Sequence, residues 1–122
     1  MCLSMDLKYF KEEEFARCSP PCSMSQVSER LLYKLDAARE LYGKPIIVNS
    51  AYRSVDYEKQ HGRDGTSSHC LGEAVDVRCA NSFDRLLLLI VFLCVGFRRI
   101  GIGKTFIHID LDENKPSAVW LY

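Results

Sequence analysis

The stretch Ser67-Ser68-His69-Cys70-Leu71-Gly72-Glu73-Ala74-Val75-Asp76-Val77-Arg78 constrains the fold of this chain more than any other. It sets a histidine and an aspartate seven positions apart, with a glycine between them and an alternating apolar run behind. On a helix, seven positions span about two turns, roughly 10 Å along the axis. Bonds from zinc to His nitrogen or Asp oxygen are about 2 Å long, so a helical pair at that spacing cannot share an ion. A loop that reverses and then enters a strand can. Gly72 permits the reversal because it accepts backbone angles other residues avoid. From Ala74 onward the pattern suits a strand, with Val75 and Val77 on one face and Asp76 and Arg78 on the other.

A second alternating run, Phe106-Ile107-His108-Ile109-Asp110-Leu111, lies near the C-terminus. Period two places Ile107, Ile109 and Leu111 on one face and His108 with Asp110 on the other. A polar pair on an otherwise apolar strand needs a partner, because burying it unpaired is costly. A metal is one such partner. Two histidines and one aspartate with an open fourth position describe a catalytic type of zinc site; a structural site is normally closed by four protein ligands.

At 122 residues the chain is expected to form one domain. Its apolar content of 48% and charged content of 26% are those of a globular protein. The formal net charge is zero, which gives no electrostatic footprint for nucleic acid or an anionic membrane. Met1 to Phe10 lacks the basic and apolar regions of a secretory signal, so no export is expected. The ten apolar residues Leu86 to Val95 fall short of the roughly 20 that span a bilayer and predict a buried core helix. Of six cysteines, Cys18 and Cys22 flank Ser19-Pro20-Pro21; they are expected to be free thiols, a second metal site or small disulfide loop being the alternatives.

Taken in order, Tyr9, Phe10 and Phe15 are expected to dock on the core while Glu12 to Glu14 face solvent. A helix is predicted from about Ser25 to Tyr42, with Val27, Leu31, Leu32, Leu35, Ala38 and Leu41 forming one apolar stripe. Ser23 or Ser25 would cap it, and Gly43 with Pro45 would end it. Ile46-Ile47-Val48 reads as a short buried strand leading into Asn49-Ser50-Ala51-Tyr52-Arg53-Ser54. Val55 to Gln60 reads as a helical turn, and His61 as a solvent-exposed histidine in a glycine-punctuated loop. A second helix over Phe83 to Val95, capped by Ser82, is apolar on nearly every side and therefore expected to be buried. Arg98–Ile102 and Phe106–Leu111 read as antiparallel strands, and Val119 to Tyr122 as a last strand or extended tail.

The motif HxxGxAxD followed by HxD, preceded by Ser50-Ala51-Tyr52-Arg53-Ser54, resembles the M15 family of zinc D-Ala-D-Ala peptidases, most closely its small members from phages and bacteria. The likeness extends over "KYFKEEEF", "LDAARELYGKPIIVNSAYRS" and "GFRRIGIGKTFIHID". It implies an α+β fold of the hedgehog/D-Ala-D-Ala-peptidase type, a small antiparallel sheet with flanking helices. It also implies one zinc ion on His69, Asp76 and His108. Arg53 matches the family arginine near the zinc, where its fork of donors would hold a substrate carboxylate or a developing oxyanion. Ser67 matches a serine beside the substrate. Small relatives often carry cysteines in the region of Cys18 and Cys22.

One position departs from the pattern. Many relatives place Glu or Asp three residues before the last histidine ligand, where this chain has Thr105. Asp110 is the available carboxylate, either as general base or as an acceptor that orients a ligand imidazole; Glu73 and Asp112 are weaker candidates. The function implied is a zinc peptidase acting on D-amino-acid-containing peptides of bacterial peptidoglycan, cytoplasmic or phage-encoded and released to the wall. A zinc-binding wall-recognition domain without turnover is the alternative.

Overall fold

A computed structural model describes residues 7–122; Met1 to Asp6, part of the stretch read for a leader, lies outside the described residues. The elements run α1 (Glu12–Ala16), a 3-10 turn (Met24–Gln26), α2 (Glu29–Tyr42), β1 (Val48–Ser50) and α3 (Val55–Gln60). A second 3-10 turn (Ser68–Leu71), β2 (Ala74–Arg78), α4 (Ser82–Cys94), β3 (Arg99–Ile102), β4 (Phe106–Asp110) and β5 (Ala118–Leu121) follow. The fold is α+β: one five-stranded sheet in the order β1-β2-β4-β3-β5, with four helices. β1, β2, β4 and β3 pair antiparallel, as expected, but β5 joins β3 in parallel, so the sheet is mixed. The polar turn after β4 carries the chain back across β3 before it re-enters, which sets that direction.

Register gives the sheet two unlike faces. Val75 pairs with Ile109 and Val77 with Ile107, and these four side chains are fully buried in the core. Leu31, Leu32, Leu35 and Ala38 of α2, with Leu88, Val91 and Phe92 of α4, belong to the same core. On the opposite face a single row crosses all five strands: Ser50 opposes Asp76, Asp76 opposes His108, His108 opposes Gly101, and Gly101 opposes Trp120 on β5.

Several local expectations are corrected. α2 begins at Glu29, because Ser28 Oγ accepts from the Leu31 amide; Ser23 caps the preceding 3-10 turn instead. Leu41 leaves the apolar stripe and is exposed, since the last turn of α2 runs beyond the core. β1 starts at Val48, with a register irregularity, and Ile47 faces solvent. Asn81 rather than Ser82 caps α4. The largest correction concerns α4 itself, where Phe83 (66%), Leu86 (53%) and Ile90 (48%) are exposed. Only the side turned to α2 and the sheet is covered. No helix among the described residues is long and apolar enough to cross a membrane.

Candidate metal centre

Ser67 begins the local structure of the site. Its Oγ accepts from the His69 amide (3.1 Å) and starts the 3-10 turn that carries His69. Gly72 ends that turn at φ +70°, and a Cβ there would lie 2.2 Å from the Gln26 carbonyl oxygen. The reversal therefore needs glycine for space as well as for backbone angle. β2 then presents Asp76 beside His108 of β4.

Ligand atoms of His69, Asp76 and His108 all lie within 4.8 Å of one another. His69 Nδ1 donates to the Ala51 carbonyl (2.6 Å), so in the neutral tautomer Nε2 carries the free lone pair. That Nε2 is buried, has no hydrogen-bond partner among the described residues, and points at Asp76 Oδ1 from 3.3 Å. A lone pair facing a carboxylate oxygen is repulsive unless a cation sits between them. His108 Nδ1 approaches the same oxygen at 2.9 Å. Two imidazole nitrogens converging on one carboxylate suit a metal such as zinc, and the donor set fits it.

The surroundings fix these groups. His108 Nε2 donates to Asp110 Oδ2 (2.7 Å), and Asp110 Oδ1 accepts from Arg99 Nε (2.7 Å) and the Asp112 amide (3.1 Å). Asp110 is thus committed on both oxygens and almost wholly buried. Burial opposes ionisation of Asp110, yet the hydrogen bond from His108, the Asp112 amide and Arg99 outweigh it and hold its pKa down. Burial likewise opposes charge on His108, but hydrogen bonds to Asp110 and Asp76 prevail and raise its pKa. For Asp76, burial is outweighed by the hydrogen bond with His108 and the neighbouring His69 ring, which keep the carboxyl well below its usual range.

Arg53 stands next to the three. Its Nε donates to Ser50 Oγ (3.0 Å), Nη1 to Glu58 Oε2 (3.1 Å) and Nη2 to Asp76 Oδ2 (3.1 Å). It lies at the edge of a cleft of about 370 Å³ that also holds Ser67, His69, Asp76, His108 and Asp110. His69, Asp76, His108, Arg53, Ser67 and Asp110 therefore meet in one cleft. Glu73 does not line it, and neither does Asp112, which accepts from Ser68 Oγ (2.7 Å). His61 is exposed and stacks on Tyr57.

Other cleft residues escaped the reading of the sequence. Glu58 is fully buried and pairs with both Arg53 and Arg63; nothing in a short helical turn signals such a carboxylate. Arg99 reaches Asp110 only through the β3–β4 register. Trp120 and Tyr122 wall the cleft beside His108, at ring distances of 5.5 and 6.4 Å. Their period-two spacing on the last strand was a readable signal. Gly101 makes room for them: a Cβ there would lie 2.6 Å from both Trp120 Nε1 and Tyr122 Cε2.

No curated protein matches this chain in sequence. A family model described as Peptidase M15 matches residues 8–110, a span that contains the clustered His69, Asp76 and His108 with Arg53 and Asp110. A match over most of the chain, through every residue that builds the metal centre, shows that the protein belongs to the peptidase M15 family.

Proposed function

We propose that the chain is a zinc peptidase that hydrolyses D-amino-acid-containing peptide bonds of bacterial peptidoglycan. The observation that carries this reading is the buried, unpartnered His69 Nε2 facing Asp76 and His108 on the floor of a cleft, in a chain of a metal-dependent peptidase family. Held by His69, Asp76 and His108, zinc supplies a Lewis acid that activates water and polarises an amide carbonyl.

The chain's own residues do the rest. Four cations (Arg53, Arg63, Arg99, Lys115) against three carboxylates (Glu58, Asp76, Asp110) line the cleft, a balance that favours an anionic peptide. Arg53 has five N–H donors, of which three are engaged; those remaining serve a substrate carboxylate or a developing oxyanion. Ser67 takes a place beside the peptide backbone. Phe106, Trp120 and Tyr122 form the apolar wall opposite. Asp110 orients the His108 ring by accepting from Nε2, which turns Nδ1 toward Asp76.

A second reading rests on that commitment of Asp110. With Thr105 in the position where relatives carry a carboxylate, every carboxylate that lines the cleft among the described residues is already paired with a cation or histidine, which favours a binding domain without turnover. Mass spectrometry of defined muropeptides incubated with zinc-loaded protein separates the two. Release of a terminal D-Ala or cleavage of a stem bond, abolished by chelator, establishes the peptidase and names its bond. One zinc per chain with every bond intact establishes the binding domain.

A further inference from the structure

Away from the cleft, Cys18 and Cys22 are built together. The amides of both residues donate to one acceptor, the Phe15 carbonyl, each at 3.1 Å. Two nitrogens on one oxygen hold their backbones close, compatible with the Cα separation of about 4.4–6.8 Å that a disulfide spans. Each thiol is the strongest influence that lowers or raises the ionisation of the other. Cys18 is buried, and its Sγ lies 3.5 Å from the Glu14 carbonyl and 3.6 Å from that of Val48. Surrounded by acceptors, it keeps its proton. Cys22 is half-buried and is the sulfur that a solvent-borne reagent meets first.

The electrostatics divide the pair the same way. The neighbouring Cys18 thiol lowers the Cys22 pKa to about 7, against burial and Glu12, with the Tyr52 backbone helping. The neighbouring Cys22, and then burial, pushes Cys18 up. A thiolate that is abundant near neutrality, beside a protonated thiol, is the arrangement of an attacking and a resolving cysteine.

We propose that Cys18 and Cys22 form a dithiol that low-molecular-weight disulfides oxidise to an intramolecular disulfide, Cys22 attacking and Cys18 resolving. The Cys22 thiolate attacks one sulfur of the reagent disulfide, breaks its S–S bond and releases one thiolate, leaving a mixed disulfide. Cys18 then loses its proton and attacks the Cys22 sulfur, expelling the second thiolate. The protein is oxidised by two electrons, the reagent is reduced to two thiols, and the two protein protons end on them. The chemistry lies in a C-x3-C loop whose Ser19 amide donates to the Asn49 carbonyl (2.9 Å), so the oxidised loop caps the start of the segment that leads to Arg53. It does not depend on peptidase activity.

The test is peptide-mapping mass spectrometry of the whole protein after exposure to oxidised glutathione at neutral pH and acid quench. A single peptide carrying both Cys18 and Cys22, lighter by two hydrogens and closed to alkylation, is expected, and in Cys18→Ser a glutathione adduct that persists on Cys22. In the unsubstituted protein, iodoacetamide should label Cys22 with a pH midpoint near 7. Its rate at that pH should exceed that of an ordinary thiol by about tenfold. Adducts confined to the exposed Cys94, a joined pair involving any other cysteine, or a Cys22 labelling profile like that of a free thiol would each overturn the proposal.

Discussion

The two faces of β2 and β4 divide ten residues between them and obey opposite rules. On the core side, Val75, Val77, Ile107 and Ile109 meet helices and exclude water; their contribution is set by area and fit. On the other side, Asp76, His108 and Asp110 meet histidine, arginine and open cleft; there the balance is between desolvation and pairing. Neighbours along one strand are thus governed by different physics. A single-residue slip of register would exchange the faces and lose both. The core face holds the strands in the register that the polar face requires.

The largest expected effect breaks the core side. Ile109→Ala removes a fully buried side chain packed between Val75 and Ile100, and should cost about 2–5 kcal/mol in denaturant unfolding. A loss below about 1 kcal/mol would show that the face is loosely packed. On the polar side, Asp76→Ala removes the carboxylate that His69, His108 and Arg53 share. We expect zinc at one per chain to be lost in equilibrium dialysis while the protein still folds. Substituting Asp110→Asn should be milder, since it acts through His108, and lower zinc affinity by about 10–100-fold. Undiminished affinity would mean that His108 needs no orienting partner.

pH separates the faces more finely, because only one of them titrates. Without zinc, the raised pKa of His108 gives stability that is fully present below its unfolded value of about 6.5 and is lost as pH rises through the folded value. The lowered pKa of Asp110 gives stability present above about 3.9 and lost as pH falls through the depressed value. The metal-free protein should therefore melt highest in the mildly acidic window between them. Zinc needs an unprotonated imidazole, so its uptake should release protons and its stabilisation should grow with pH. Melting temperatures with and without zinc from about pH 2 to about pH 8 check both signs. Parallel curves would contradict the linkage.

A weaker test falls on the Arg99–Asp110 pair. Arg99→Leu keeps the bulk beside Trp120 but removes a charged donor from a buried carboxylate, with an expected cost of about 1.5–3 kcal/mol. The same variant should raise the Asp110 pKa, visible as a narrower acid limb of the melting profile.

How much of this could be read from the chain follows the same division. Alternation in Val75-Asp76-Val77 and Ile107-His108-Ile109 told core from site, and Gly72 marked the turn that brings His69 round. What alternation could not give was register between strands distant in sequence. The partners of Asp110 were unreadable for that reason: Arg99 faces it only because β3 pairs with β4 at that offset. Glu58 was hidden because its burial depends on Arg53 and Arg63 arriving from either side. In α4 the signal saturated. Ten apolar residues in a row carry no polar face to say which side looks outward, and the helix was read as covered all round.

That excess supplies the smallest prediction. Phe83, Leu86 and Ile90 recur at three- and four-residue spacing on the outer side of α4, while Leu88 and Phe92 face the core. Phe83→Ser removes a side chain that is two-thirds exposed, at the first turn of the helix, where serine costs little propensity. Its effect on unfolding should lie within about 0.5 kcal/mol. The matched change Phe92→Ser, on the same helix but in the core, should cost several kcal/mol, because it both empties volume and buries a hydroxyl. If the two variants proved equally damaging, α4 would be covered on its outer side in solution, and the contrast between its faces would be an interface rather than a surface. Unequal costs would show instead that the outward-facing apolar positions of α4 contribute little to the fold, and that burial here is decided by what packs against a residue, not by the residue's own hydrophobicity.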